Sequence, residues 1–242
     1  NQGDLRIEVL GPLVTTVAGK PALRFLGGPP KGPRIGHESL SLGEEDFKGH
    51  SASHTINGHS VVFRLVYGGF SYLFTGDLND EASRFLTREH NAGRLDLKAE
   101  VFKVPHHGSA DFSGAMFQAV SPVISIVSSG DESAQKEYIH PRATLMGALG
   151  KWSRVPEPLI FVTELVAFFN VEGWSQLADD KKAAKRGQFF GFSRTAFGIV
   201  KTRTNGKRLF VYTDSGNIQM KEAYAYALDS SGVPQPANVL RA

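Results

Sequence analysis

"NGHSVVFRLVYGGFSYLFTGD", residues 57–77, is the stretch that decides the fold. Two runs of β-branched and aromatic residues flank Gly68-Gly69, a dipeptide typical of the two-residue turn of a β-hairpin. The second run ends in Thr-Gly-Asp, so Asp77 stands at the carboxyl end of a predicted strand. A Gly-Asp pair after a strand is also a common turn, so the structural and functional interpretations of Asp77 both stay open.

Helices and strands alternate after this hairpin. A helix is predicted from about Asn79 to His90, with Asn79 as its cap and Phe85 and Leu86 on its apolar face. The further elements are a strand in "AEVFKV", a short helix in "SGAMFQAV", a strand in "VISIVSSG", a helix in "YIHPRATLMGALGKW" and a strand in "PLIFVTEL". This alternation predicts a layered α/β fold, in which chemistry tends to gather at the strand ends.

Two adjacent histidines follow one of these strands, in "KVPHHGSADF", residues 103–112. A buried histidine usually satisfies a backbone carbonyl and does nothing more. Two in tandem on an extended backbone point to opposite sides, so we do not expect both to fill one core. Pro105 fixes the local chain and Gly108 relaxes it, which suits imidazoles held at a defined angle. We therefore interpret His106 and His107 as functional.

A third histidine, His140, lies in "YIHPR", before a proline that biases it toward extended geometry. By itself it is equally well a loop residue or a site residue. Asp77 and the histidine pair together offer carboxylate oxygen and imidazole nitrogen at strand ends. That donor set suits Zn²⁺ or Mn²⁺. A metal-bound water loses a proton near neutral pH, and the hydroxide can attack a phosphoryl or carbonyl centre.

The composition sets the limits of these hypotheses. The chain has 242 residues, 41% of them hydrophobic, and no cysteine, which excludes disulfides and thiolate-ligated metals. No apolar run approaches the roughly 20 residues that a membrane-spanning helix needs, so we expect no membrane segment and a cytoplasmic location. The net charge is only +3, which does not by itself demand a polyanionic partner.

Two regions depart from this simple pattern. Residues 24–57 are rich in Gly, Pro, Ser, His and charge, and predict a long loop. After about residue 172 the sequence predicts a basic helix in "ADDKKAAKRG" and a hairpin around Asn205-Gly206. The periodicity of "IQMKEAYAYAL" leaves strand and helix open, and "DSSGVPQPANVLRA" is typical of a tail.

The ordered motifs resemble a known family. The stretches "NGHSVVFRLVYGGFSYLFTGD", "KAEVFKVPHHGS" and "YIHPRATLMGAL" look like the second half of a metallo-β-lactamase-fold hydrolase. The branch they resemble is that of bacterial DNA-uptake competence proteins, and the similarity runs from about Leu5 to Leu165. The resemblance implies a four-layer αββα sandwich with one or two metal ions at one edge. It divides the chain into residues 1–170, with an insertion at 24–57, and a basic extension with a hairpin and tail at 171–242.

The resemblance also implies roles for individual residues. Asp77 would be a bridging metal ligand and His107 would complete a metal shell, with His106 as a further ligand or a contact to substrate phosphate. His106 and His140 would assist Asp77 in catalysis. Ser109, Asn57 and His140 would contact the substrate. Asn57 stands where many relatives carry another ligand histidine, and the spacing favours it over His54 and His59, which flank it.

One signature of the family, His-x-His-x-Asp-His, does not occur in the sequence. It normally lies N-terminal to the motifs present here and supplies most of the metal ligands. Three explanations stay open: a larger protein of which this is a part, a split domain completed by a partner chain, and a degenerate relative. We favour the first two, because Asp77 and the histidine pair are intact. Without further ligands, Asp77, His107 and water would bind a metal poorly.

The leading functional hypothesis is therefore a metal-dependent hydrolase, phosphodiesterase-like or nuclease-like, completed by an N-terminal metal-binding half. The alternative is a catalytically degenerate scaffold that binds protein or nucleic acid. Basic clusters in the last third are usually solvated surface, but they could also contact nucleic-acid phosphates. The candidates for that contact are Lys201, Arg203, Lys207 and Arg208.

Overall fold

The structure is a computed structural model, and it describes residues 5–23, 26, 52–129, 140–165, 168–169, 190–191, 195–196, 198–214 and 222–238. The predicted basic helix at 178–187 and most of the predicted loop at 24–57 lie outside these residues. The strands are β1 (Leu5–Gly11), β2 (Val14–Val17), β3 (Lys20–Leu23), β4 (Val62–Tyr67), β5 (Phe70–Phe74), β6 (Val101–Lys103), β7 (Ile124–Val127), β8 (Leu159–Val162), β9 (Glu164–Leu165), β10 (Phe168–Phe169), β11 (Phe190–Gly191), β12 (Thr195–Ala196), β13 (Ile199–Thr204), β14 (Arg208–Asp214), β15 (Ala223–Leu228) and β16 (Pro234–Ala237). The helices are α1 (Ala52–Gly58), α2 (Asp80–Asn91), α3 (Gly114–Val120) and α4 (Ala143–Lys151).

A six-stranded mixed sheet forms the centre of the fold, in the order β1-β4-β5-β6-β7-β8. Strands β1, β4 and β5 pair antiparallel, and the hairpin between β4 and β5 turns at Gly68-Gly69 as the sequence predicts. Strands β5 to β8 run parallel to one another. Their carboxyl ends therefore share one edge of the sheet, where the loops that carry Asp77 and the histidine pair emerge.

Both faces of this sheet are apolar, and each face packs against a different layer of the fold. On one face Leu73, Phe102, Val127 and Val162 pack against the helices α2, α3 and α4. On the other face the alternate residues of the same strands pack against a second sheet: Phe70, Tyr72, Val101, Ile124 and Phe161. The short strands β5 to β8 are buried on both faces, as their continuous apolar sequence requires.

The second sheet has four antiparallel strands in the order β13-β14-β15-β16. Its inner residues Leu209, Val211 and Tyr226 complete the core on the face away from the helices. The described residues thus form three layers, helices on sheet on sheet, and the fold is mixed α/β. In the segment whose periodicity was ambiguous, Ala223–Leu228 form strand β15. The sequence predicted a tail for the last residues, but Pro234–Ala237 pair with β15 as an edge strand.

A contact between two glycines joins the two sheets at one end. The backbone N–H of Gly69 donates to the carbonyl of Gly206, at 2.8 Å, where the β4–β5 and β13–β14 turns meet. Farther along, Tyr72 of β5 shares a side-chain hydrogen bond with Thr202 of β13. Strand β13 therefore lies along β5 in the opposite direction. Its hairpin turn sits at the end of β5 remote from Asp77.

The helices follow local rules. Asn79 caps α2 as predicted, its side chain accepting a hydrogen bond from the N–H of Ala82 at 3.0 Å. Helix α1 occupies the end of the segment for which the sequence predicts a loop, so that prediction is wrong for residues 52–57. Among the residues that the structure describes, no helix is long and apolar enough to cross a membrane.

Gly68 offers a test of the contact between the sheets. Its φ is +56°, and a Cβ there would lie 2.4 Å from Cα of Gly206, whereas Gly232 has a φ of +76° and open space around it. We expect Gly68→Ala to lower the free energy of unfolding by about 3 kcal/mol, from backbone strain plus the clash, and Gly232→Ala by about 1 kcal/mol from strain alone. Urea unfolding measures both. Equal losses in the two variants would show that the close approach contributes nothing.

Candidate functional site

The loops after β5 and β6 are tied together at the carboxyl edge of the sheet. The hydroxyl of Thr75 donates to the carbonyl of Lys103 at 2.7 Å. The carbonyl of Gly76 accepts two hydrogen bonds, from the backbone N–H of His106 and from Nζ of Lys103, each at 3.1 Å. These bonds place the turn of Asp77 beside the turn of the two histidines.

Asp77 is oriented by the residue that precedes β4. Its backbone N–H donates to Oγ of Ser60 at 2.9 Å. Gly76 has a φ of +53°, and a Cβ there would lie 2.8 Å from Cβ of Ser60, so only glycine allows this approach. The Asp77 side chain is 40% exposed, and its Oδ1 lies 3.3 Å from Nε2 of His107. The structure thus brings together two of the predicted metal ligands.

The two histidines form a left-handed turn. Their φ values are 49° for His106 and 52° for His107, so the extended backbone that we expected for the pair is wrong. Non-glycine residues rarely adopt this region, and each such residue costs roughly 1 kcal/mol or more. The next residue, Gly108, has a φ of +87° and packs against Pro141. Strain of this kind gathers at functional sites, because only the surrounding structure can hold it.

His107 has a defined tautomer. Its Nδ1 lies 2.7 Å from the carbonyl oxygen of Ser128, after β7, and a carbonyl can only accept. Nδ1 therefore carries the proton. The other nitrogen, Nε2, presents to Asp77 either its lone pair or a second proton. The Nε2–Oδ1 separation of 3.3 Å is longer than the usual 2.7–3.2 Å of an N–H···O bond. Such an arrangement, with Nδ1 donating to a carbonyl, is how proteins orient an imidazole toward a metal.

His106 contacts different residues from those that surround His107. Its Nε2 lies 3.4 Å from Nδ2 of Asn57, and its Nδ1 is buried and makes no hydrogen bond to the described residues. Burial lowers the pKa of His106 below its ordinary 6.5, against the carboxylates of Asp111 and Asp77, which raise it. The positive charge of nearby Lys103 acts in the same direction as burial. His106 is therefore an uncharged imidazole at neutral pH.

His140 joins this second group. Its ring centroid lies 6.3 Å from that of His106, tilted by 57°. The neighbouring Arg142 donates its backbone N–H to the carbonyl of Gly108 at 2.9 Å, which fixes the His140 loop against the histidine turn. The predicted substrate contact Ser109 uses its hydroxyl within the loop, accepting from the N–H of Asp111 at 3.2 Å. Contact of these residues with a substrate stays a prediction.

The sequence alone did not identify Lys103, Ser60 and Asp111 as site residues. Lys103 ends an apolar strand on the face that packs against the second sheet, and burial lowers its pKa, while Asp77 raises it. A lysine at such a position in a buried strand is the signal that could have identified it. Asp111 lies in the quoted histidine stretch, and its Oδ2 is 3.7 Å from Nδ1 of buried His54.

His54 belongs to a neighbouring polar group. Its Nε2 lies 3.5 Å from Oε2 of Glu81, so one imidazole stands between two carboxylates that face different nitrogens. These three side chains do not meet at one point. In the part of the chain that the structure describes, no three His, Asp or Glu side chains are placed to hold a single metal ion.

The predicted nucleic-acid contacts lie on the second sheet. Lys201 forms an ion pair with Asp214, and the guanidinium of Arg203 lies 5.8 Å from the ring centroid of Tyr212. Lys207 and Arg208 lie at the hairpin turn that meets Gly69. That turn and Asp77 are at opposite ends of β5, roughly 17 Å apart, so the structure does not bring these two cations to the candidate site.

Two curated proteins are similar to part of this chain. "Competence protein ComA" of Neisseria gonorrhoeae is 38% identical over 86 residues, which are 35% of this chain and 12% of that protein. "ComE operon protein 3" of Bacillus subtilis (strain 168) is 33% identical over 98 residues, 40% of this chain and again 12% of that protein. The similarity thus spans about an eighth of either relative's length. No family model matches the chain, and no solved structure matches it.

The lowered pKa of His106 predicts how stability depends on pH in metal-free protein. The folded state binds the proton less readily than the unfolded state, whose pKa is near 6.5. The contribution of His106 to the free energy of unfolding should therefore be constant above about pH 6.5 and fall as the pH drops from there through the lower folded pKa. Urea unfolding in the presence of a chelator, at a series of pH values, measures this loss.

His106→Gln supplies the control, because its side-chain oxygen can still accept from Asn57 but cannot titrate. The variant should lose less stability than the wild type over the same pH interval. Identical pH dependence in both proteins would show that His106 does not carry the effect.

Proposed function

We propose that this chain supplies part of the metal site of a hydrolase that cleaves phosphodiester bonds. The single observation that carries the proposal is the pair formed by Asp77 and His107. A carboxylate oxygen and an imidazole nitrogen lie 3.3 Å apart, half-exposed, at the edge where four parallel strands end. The proposal includes the finer assignment, a metallo-β-lactamase-like domain with a fourth, helical layer.

The separation of the two atoms supports a metal between them. Two ligand atoms that each lie about 2.0–2.1 Å from a tetrahedral Zn²⁺ are about 3.3–3.4 Å apart. The hydrogen bond from His107 Nδ1 to the carbonyl of Ser128 leaves Nε2 as the donor atom, which agrees with this use. Asp77 and His107 would therefore hold the ion. Mn²⁺ accepts the same donor types and is an alternative.

Two protein ligands do not complete a zinc site, which takes three in catalytic centres. The remaining ligands would come from a segment outside the described residues or from a partner chain. His106 is a weaker candidate ligand, because its Nε2 faces Asn57 and its Nδ1 is buried. Whether one ion or two occupy the completed site depends on those further ligands.

The chemistry that the metal supplies is a water of lowered pKa, which is a nucleophile at neutral pH. The residues around it suit an anionic substrate. Lys103 places a cation beside the Gly76 carbonyl. The imidazoles of His106 and His140 lie side by side. Backbone hydrogen bonds from His106 to Gly76 and from Arg142 to Gly108 hold the turn between them in place. His106 could hydrogen-bond a phosphate oxygen only by exchanging the contact between its Nε2 and Asn57 for the substrate. His140 would contact the same substrate group.

A nucleic acid is the favoured class of substrate. One of the two relatives is named a competence protein, and the DNA taken up in competence is a phosphodiester polymer. Arg203 and Lys201, on the outer face of the second sheet, would add sequence-independent contacts to the backbone. Lys207 and Arg208 could contribute only to a long substrate, since they lie at the far end of the sheet.

Zinc titration tests the proposed ligands directly. In the wild-type chain, Zn²⁺ should shift the imidazole NMR signals of His107 at Nε2 while Nδ1–H is retained. Asp77→Ala and His107→Ala should each weaken binding at least about tenfold, because each removes one of two protein ligands. Glu157→Gln, an exposed acidic residue before β8, is the matched control and should bind as the wild type does.

Activity is measured separately, on the complete protein with a generic phosphodiester and with single-stranded DNA. Loss of cleavage in Asp77→Ala, with retained folding, agrees with the proposal. Zinc binding that is unchanged in both site variants contradicts it. That result favours the alternative, a scaffold that has kept the fold without the chemistry.

A further inference from the structure

Strand β1 is an exposed edge of the central sheet. Among the described strands it pairs only with β4, so its other side has no strand partner within that part of the chain. An edge of this kind is a template for pairing with another strand unless something blocks it. No proline interrupts Leu5 to Gly11, and the register with β4 is continuous from Leu5 to Val9.

The side chains of β1 leave an apolar row uncovered. Leu5, Ile7 and Val9 are 49%, 62% and 71% exposed, although they alternate onto one face of the sheet. Their cross-strand partners on β4 are Tyr67, Leu65 and Phe63. The next residues across, on β5, pack against the second sheet. Three large apolar residues in a row at an open strand edge are unusual for a surface that stays in water.

The opposite face of β1 carries two charges of opposite sign. Arg6 and Glu8 alternate with the apolar row. Glu8 also accepts a hydrogen bond from Arg64 of β4 at 3.1 Å, and its side chain remains 35% exposed. Residues 5–9 are therefore in turn apolar, positive, apolar, negative and apolar, which is a self-complementary pattern about Ile7.

We infer that β1 pairs antiparallel with β1 of a second copy of this chain, about a two-fold axis at Ile7. In that register Ile7 faces Ile7 of the second copy, and Leu5 faces Val9 at each end. Arg6 faces Glu8 of the second copy, twice by symmetry. Opposite charges and apolar pairs directly across antiparallel strands are both stabilising. An isologous two-fold contact of this type closes on itself and gives a dimer.

The charges select this register. Moving the axis one residue toward the amino end keeps apolar residues opposite each other but places Arg6 opposite Arg6. Moving it one residue the other way places Glu8 opposite Glu8. Like charges directly across a strand pair are destabilising. An axis between two residues would place a charged side chain opposite an apolar one. Only the axis at Ile7 therefore pairs apolar residues with apolar residues and Arg6 with Glu8.

The dimer would be one continuous sheet of 12 strands, six from each copy. The candidate site lies in the loops after β5 and β6, the third and fourth strands from β1, whereas the proposed pairing uses only the outer side of β1. Dimer formation therefore leaves the site open. The inference does not depend on the proposed function. Because a single strand pair buries less than a standard interface, we expect association in the micromolar range.

Sedimentation analysis of the full 242-residue chain, over micromolar to submillimolar concentrations, is the test. The wild type should show a monomer–dimer equilibrium. Arg6→Glu and Glu8→Lys each create two like-charge pairs, so each variant alone should dimerise at least about tenfold more weakly. When the two variants are mixed in equal amounts, the two acidic side chains of one copy stand opposite the two basic side chains of the other. The mixture should therefore associate more tightly than either variant alone, as a heterodimer.

Ile7→Lys is the independent variant, since its side chain is exposed in the monomer and two lysines would meet at the axis. It should abolish the dimer without changing the melting temperature of the monomer. Circular dichroism checks that every variant is folded. A wild type that is monomeric at all concentrations overturns the inference. A dimer that Ile7→Lys or the single charge variants leave unchanged, or a mixture that is no tighter than its components, also overturns it.

Discussion

The parallel pairing of β5 with β6, extended by the hydrogen bonds to the Gly76 carbonyl, is the interaction on which the rest of the site depends. The carbonyl accepts from a backbone N–H of the histidine turn and from the side chain of Lys103. It therefore connects two loops that are separated by a whole helix in sequence. If this connection were lost, Asp77 and His107 would be independent surface residues, and a 3.3 Å approach would be entropically costly.

Much of the fold follows from local sequence signals. The Gly68-Gly69 turn, the Asn79 cap and the apolar strands between helices predict the order of elements, because each depends on neighbours in sequence. Strand β16 could not be predicted in this way. Its residues, with two prolines, form an edge strand only because β15 offers a partner. Helix α1 was likewise hidden in a segment whose composition predicts a loop.

The candidate site was predictable in part. Asp77 and the tandem histidines could be identified because polar residues at strand ends stand out. Their geometry could not. The left-handed turn of His106 and His107 leads into Gly108, which packs against Pro141, more than 30 positions away in sequence. Lys103 was missed because its importance lies in a contact with the neighbouring loop, and the tautomer of His107 depends on a carbonyl in the loop after β7.

The positive φ values of the two histidines have a consequence for the evolution of this chain. Glycine would adopt the same backbone at both positions without strain, and asparagine with less strain than most residues. A population selected for thermal resistance alone would thus tend to lose both imidazoles. Under the proposed function, folding stability favours glycine at these two positions and chemistry favours histidine, so the two demands oppose each other there.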